Sequence, residues 1–148
     1  MAGKWNDFEE EFLKLIFQNV NPSNYLIGAL NHVRGSATAG NLYIALFTAD
    51  PTETGSIANE CNYTNYARKA VARSSAGWTV TSNVVTNTAA ITFVTAGSSE
   101  TATHYGICKA GTRAVADLIM YGEFTSPLSI SNGVTPQIPA GSLSITEE

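Results

Sequence analysis

Residues 41–56, NLYIALFTADPTETGS, decide how this chain is read. Leu42, Tyr43, Ile44, Leu46 and Phe47 form a run without interior Gly or Pro, bounded by Gly40 and Pro51. Such a run, rich in β-branched and aromatic residues, predicts a strand. Tyr43, Ala45 and Phe47 are as apolar as Leu42, Ile44 and Leu46, so both faces are expected to be covered. A strand covered on both faces belongs near the centre of a sheet. The polar residues from Thr48 to Thr64 then form a long connection, of the kind that in a compact domain is often functional or interface-forming.

Upstream of this strand the period changes from two to about 3.6. Phe8, Phe12, Leu15 and Ile16 fall on one helical face, with Leu13, Phe17 and Val20 widening it, so residues 6–20 are expected to be helical. Asn6 or Asp7 would cap that helix, and Glu9 to Glu11 sit at its positive end. Pro22 breaks the pattern, and Ser23 or Asn24 opens a second expected helix to Arg34 with Leu26, Leu30 and Val33 inward and Gly35 as its stop. His32, in its last turn, reads as a surface residue rather than a ligand.

Downstream, further strands are expected at 63–73, 77–81, 84–86, 89–95, 104–109, 116–124, 128–130 and 142–146. Residues 96–101 read as loop, and Pro136 and Pro139 keep the stretch around them out of a sheet interior. About eight short strands after two helices predict a mainly β chain, an antiparallel sandwich or jelly roll. The expected division is an N-terminal helical arm over 1–21 and a helix-plus-sandwich domain over 22–148.

Composition narrows the function. The chain has 148 residues, 44% of them hydrophobic and only 14% charged, with a net charge of −4. Ser, Thr and Asn supply the polarity instead, which suits a protein packed against neighbours. A nucleic-acid surface would need clustered cations. Arg68, Lys69 and Arg73 come nearest, but on a strand Arg68 faces away from the other two. The acidic start lacks the positive region of a signal peptide, and no apolar run reaches bilayer length. Synthesis in the cytoplasm follows, and Cys61 and Cys108 are expected as free thiols.

Catalytic patterns are missing. No phosphate loop, dinucleotide fingerprint, nucleophile elbow or zinc-protease motif occurs. His104 and Cys108 share a strand face, but about 13 Å of strand separates them, too far for a nucleophile and its base. Glu53, Glu60, Glu100, Asp117 and Glu123 are scattered singly and give no carboxylate pair for glycoside cleavage. No enzyme, metal or cofactor is expected.

Several stretches carry a likeness: Ser23-Asn24-Tyr25-Leu26 with Leu30-Asn31-His32-Val33, then Leu42 through Thr52, Tyr66-Ala67-Arg68 and Thr103 to Ile107. Gly122 to Thr125, Asn132-Gly133, Pro136 and Ala140 to Leu143 extend it. In these the chain resembles a family of small structural proteins of tailed bacteriophages, described variously as tail-fibre, decoration or head-associated proteins. The likeness covers residues 23–146, and the helix at 6–20 departs from it.

The resemblance implies a virion structural protein made in the host cytoplasm. Its first form is a capsid cement binding the major capsid protein and copies of itself as a dimer or trimer. A tail-fibre, baseplate or neck component is the second form, and a carbohydrate-binding adhesin using Trp78, Tyr63 or Tyr66 is a third. The 6–20 helix and the 48–64 loop are the expected contact regions, with Trp5, Phe8, Phe12 and Tyr63 as aromatic anchors. Neither nucleic acid nor membrane is an expected partner.

Overall fold

A computed structural model describes residues 6–22, 36–114 and 117–147. The chain divides into two compact units, one drawn from residues 1–41, 72–89 and 140–148, the other from 42–71 and 90–139.

The second unit is built on β1, Asn41–Phe47, the strand expected to be central. It lies inside a four-stranded sheet of order β2-β1-β6-β7, with β2 at Lys69–Ala72, β6 at Glu100–Cys108 and β7 at Leu118–Ile130. Leu42, Ile44 and Leu46 are buried on one face, and Ala45 and Phe47 on the other beside half-buried Tyr43. Both faces are thus covered. β1 and β6 run antiparallel with Ala45 opposite Gly106 and Phe47 opposite His104. Gly106 is small for a reason: a Cβ there would lie 2.6 Å from Leu118 Cδ1 and 2.8 Å from Phe47 Cε2.

β7 merges the two strands expected at 116–124 and 128–130. Its register on β6 slips, with Ala102 opposite Leu128 but His104 opposite Glu123. Residues 124–127 therefore bulge opposite Thr103 alone, so Pro127, which has no N–H to donate, falls where the ladder is already broken. The other expectations here need correction. β6 starts at Glu100, inside the expected loop, and only Lys69–Ala72 of the 63–73 stretch is strand. Of 89–95, only Ile91–Thr92 is strand (β5), and it pairs with β8, Gln137–Ile138, from the Pro-flanked connection.

In the first unit, β3 (Trp78–Thr81), β4 (Val84–Asn87) and β9 (Ser144–Thr146) form an antiparallel sheet of order β3-β4-β9. Helix α1, Asn6–Leu13, runs into a π-helical segment, Lys14–Gln18, that stops at Asn19 in a left-handed conformation. The expected helix is thus two residues shorter and changes its winding. Its inner side chains, Leu13 and Phe17, are fully buried, and the Phe17 ring meets Trp78 edge-on at 4.8 Å. Arg73 closes the helix end: its guanidinium donates to the carbonyls of Leu15 (2.8 Å), Ile16 (2.7 Å) and Ala39 (3.1 Å). A cation is favoured there because the last carbonyls of a helix carry partial negative charge and no helical partner.

The second expected helix, with His32, lies outside the described residues. Among the described residues the architecture is mainly β, with nine strands in sheets of four, three and two. Every pair with an assigned register is antiparallel. A sandwich or jelly roll is a finer arrangement than these sheets establish.

Candidate interaction surface

The polar chemistry of the second unit converges on one carboxylate, Glu60. It sits where the 48–60 loop returns to β1: Thr48 N–H donates to Asn59 O and Cys61 N–H to Leu46 O, both at 2.8 Å. Arg68 grips it with two parallel bonds, Nε to Oε1 and Nη2 to Oε2, each 2.9 Å. The pair is dry, with side chains 1% and 0% exposed. Tyr66 OH donates to Oε1 (3.1 Å) while accepting from Leu46 N–H (3.0 Å), and Arg113 Nε lies 3.4 Å from Oε2.

Arg68 spends its remaining donor on the turn carbonyls of Ala110 (3.0 Å) and Thr112 (2.7 Å), and Asp117 stands 3.7 Å away. Burial works against the Arg68 cation and the Glu60 carboxylate works for it; the net effect raises its pKa. Burial and the neighbouring Glu60 also push the Tyr66 hydroxyl well up.

This network fastens loops. Glu60 has its oxygens occupied by Arg68, Arg113 and Tyr66, so it is committed to holding the 59–68 and 109–113 segments on β1 and β6. Glu100 does similar work nearby, accepting Asn62 N–H (2.9 Å) and Tyr63 N–H (3.0 Å). Outward of this base, the 48–59 loop bonds to itself. Asp50 Oδ1 accepts Thr52 N–H (2.7 Å), and Pro51 O accepts Ser56 N–H (2.8 Å). Thr48, Ala49, Asp50, Thr52, Glu53 and Thr54 are exposed on it. Thr52 takes φ +58°, rare for a β-branched residue. A loop so fastened is a fixed shape on the surface.

The anchor residues fall in different places. Trp5 lies outside the described residues. Phe8 is 38% exposed on α1 and stacks on half-buried Phe12 with centroids 6.2 Å apart. Tyr63 is buried, edge-on to Tyr66 at 5.2 Å, and its hydroxyl has no hydrogen-bond partner among the described residues. Trp78 is fully buried too. Neither Tyr63 nor Trp78 presents a ring to a sugar.

The three basic residues do separate tasks: Arg68 holds Glu60, Arg73 holds the helix end, and Lys69 is exposed on β2. His104 is half-buried and shares a hydrogen bond with Thr103 Oγ1 (2.9 Å). Both cysteines are buried and unpaired. Burial, aided by Glu100, pushes the Cys61 thiol up to about 12, and burial pushes Cys108 up to about 11 against the pull of Arg68. Both are neutral thiols at neutral pH.

Among the described residues no group of three or more His, Cys, Asp or Glu is placed to hold a metal ion. None of the described helices is long and apolar enough to cross a membrane. Among the described residues the exposed large apolar side chains are scattered: besides Phe8, they are Val20, Val94, Ile119 and Val134. The strand pattern over 89–95 puts Val94 opposite in facing to Ile91 and Phe93, so its exposure was readable. Val134 was not, because it lies in a connection.

A family model described as podophage GP4 fiber I protein gp80 matches residues 21–146. The chain belongs to this family. It is thus a phage structural protein of a fibre-described family, in agreement with the resemblance drawn from its motifs. The match begins after the helix at 6–18, the segment that also departed from that resemblance. No curated protein matches the chain.

Proposed function

We propose that this chain is a non-catalytic structural subunit of a phage fibre, held in the virion by contact with copies of itself and with neighbouring virion proteins. The observation that carries the reading is the match to a fibre protein family across residues 21–146. The Glu60 network supports it: charged groups that elsewhere serve chemistry are spent here on fixing loop shape. Rigid loops bind without a large ordering cost, and many weak copies add by avidity.

The capsid-cement form, with the major capsid protein as partner, is the second reading. It draws on the low charge of the surface, which suits dense packing, but the family's description names a fibre. The adhesin form loses two of its three platforms, since Trp78 and Tyr63 are buried.

The test is a phage in which an amber codon silences this gene. Particles without fibres are expected in the non-suppressing host. Particles with complete fibres and heads that lose their DNA on mild heating would overturn the fibre reading in favour of cement.

A further inference from the structure

The sequence holds one Asn–Gly step, Asn132-Gly133, and the proposed function makes no use of it. Such a step is chemically labile. With no side chain on the glycine, its nitrogen is unhindered, and in a free chain it attacks the asparagine side-chain amide. The N–H proton is lost, a bond forms from Gly133 N to Asn132 Cγ, and the side-chain nitrogen leaves as ammonia. Water then opens the cyclic imide at either carbonyl and leaves aspartate or isoaspartate at 132. No oxidant, reductant or enzyme is required.

The fold denies this reaction its geometry. Asn132 and Gly133 are both exposed, so water reaches them freely. They form the corner of a turn closed by Val134 N–H to Ser131 O (3.0 Å), with φ negative at Asn132 and +78° at Gly133. That is a type II turn, in which glycine supplies the positive φ. Imide closure needs Asn132 Cβ and Gly133 N nearly eclipsed about the Cα–C bond. A type II turn holds ψ of its second residue at about +120°, which swings these two atoms about 120° apart. The attacking nitrogen is occupied as well, since its N–H donates to Ala96 O at 2.8 Å. The Asn132 N–H donates to Ser99 Oγ at 3.1 Å, so a second bond ties the turn to the 96–99 segment.

We propose that Asn132 is a deamidation site that the fold keeps shut, and that it reacts only when the 131–134 turn comes away from residues 96–99. The change runs one way. Isoaspartate routes the main chain through the former side chain and lengthens it, so the turn cannot close again with the same bonds. A chain that has stayed open long enough to react is thereby marked.

The experiment ages the purified full chain at pH 8, in buffer and in guanidinium chloride. Peptide mass spectrometry reads conversion at 132, and a protein isoaspartate methyltransferase reads the isoaspartate. Three hydrogen bonds of ordinary net strength must open together, so the folded chain is expected to react about a hundredfold more slowly than the denatured one. Val134→Pro deletes the N–H that closes the turn, at a side chain that is 50% exposed. It is expected to speed conversion in buffer about tenfold, the scale of one lost bond. Far-UV circular dichroism checks its folding. Should it fail to fold, Ser99→Ala takes its place, removing only the acceptor of the Asn132 N–H, and a severalfold faster conversion is expected.

Equal rates in the folded and denatured chain overturn the proposal. So does a denatured chain that does not react, since there is then no site to shut. A folded Val134→Pro or Ser99→Ala chain that reacts no faster than wild type overturns it too. None of these outcomes bears on where in the virion the chain resides, which the silenced phage reads separately.

Discussion

Glu60→Gln removes one charge and almost no volume from the base of the 48–60 loop. The Arg68 guanidinium it leaves behind is 1% exposed and cannot recover water. Breaking a buried ion pair by deleting one partner costs about 3–5 kcal/mol, because the surviving charge is stranded. Gln retains one acceptor oxygen, and Asp117 at 3.7 Å supplies some residual compensation, so the low end, about 3 kcal/mol, is expected. Against a total stability of about 5–15 kcal/mol this is a large fraction. With a urea dependence of about 1.5–2 kcal/mol per molar, the unfolding midpoint falls by about 1.5–2 M. Equilibrium urea unfolding followed by far-UV circular dichroism measures it. The double variant Glu60→Met/Arg68→Met should be less destabilised than the sum of its two single variants, since a buried pair replaced whole leaves no orphan between its members. A loss below about 1 kcal/mol for Glu60→Gln, the scale of an exposed pair, would refute the reasoning.

Gly106→Ala pushes a methyl into the Phe47 ring and Leu118, and an overpacking cost of about 1–3 kcal/mol is expected by urea titration. Phe17→Ala empties the contact with Trp78 and should cost about 3–5 kcal/mol, whereas Phe8→Ala, at a 38% exposed site, should cost under about 1 kcal/mol; thermal unfolding of the two separates them. The thiols set an alkaline limit. Both pKa values are raised in the folded chain from an ordinary 9.0, so the unfolded chain loses these protons first. Their contribution is complete below pH 9 and is lost as pH rises through about 11 for Cys108 and about 12 for Cys61. Tyr63, raised by burial to about 12, acts in the same direction. The thermal midpoint should therefore be insensitive to these groups at pH 7–9 and fall steadily above it, and a disulfide reagent at pH 8 should label neither thiol before denaturant is added.

How much of this was legible depends on how local the cause is. β1 was readable because its six apolar side chains alternate onto two faces that are both covered, and burial leaves only hydrophobic choices there. The helix was readable from Phe8, Phe12, Leu15 and Ile16, but its inner side was not: Leu13 and Phe17, expected only to widen that face, are the buried pair, while Phe8 is exposed and Phe12, Leu15 and Ile16 are half-buried. The π-helical winding after Leu13 was not readable either, since periodicity does not distinguish i+4 from i+5 bonding over one turn. Strand ends failed where the chain pairs with distant partners: β8 exists because Pro136 and Gln137 meet Phe93 and Thr92, and nothing within 131–141 encodes that. β7 was expected as two strands, 116–124 and 128–130, because the bulge against Thr103 that carries the strand through Pro127 depends on the distant β6.

The Glu60 hub was invisible for the same reason. Its members are drawn from residues 46 to 117 and meet only when the loop has folded, so each acid and base looked solitary. Tyr63 illustrates the reverse case, an aromatic in a polar loop that reads as an exposed anchor but is buried against Tyr66. Residue type chose the candidates; only packing could say which faced outward.

The most direct test of the central claim is immunogold electron microscopy of purified virions with antibody to this chain. Gold confined to the fibres is the predicted result. Gold distributed over the head would contradict it and make the chain a capsid component instead.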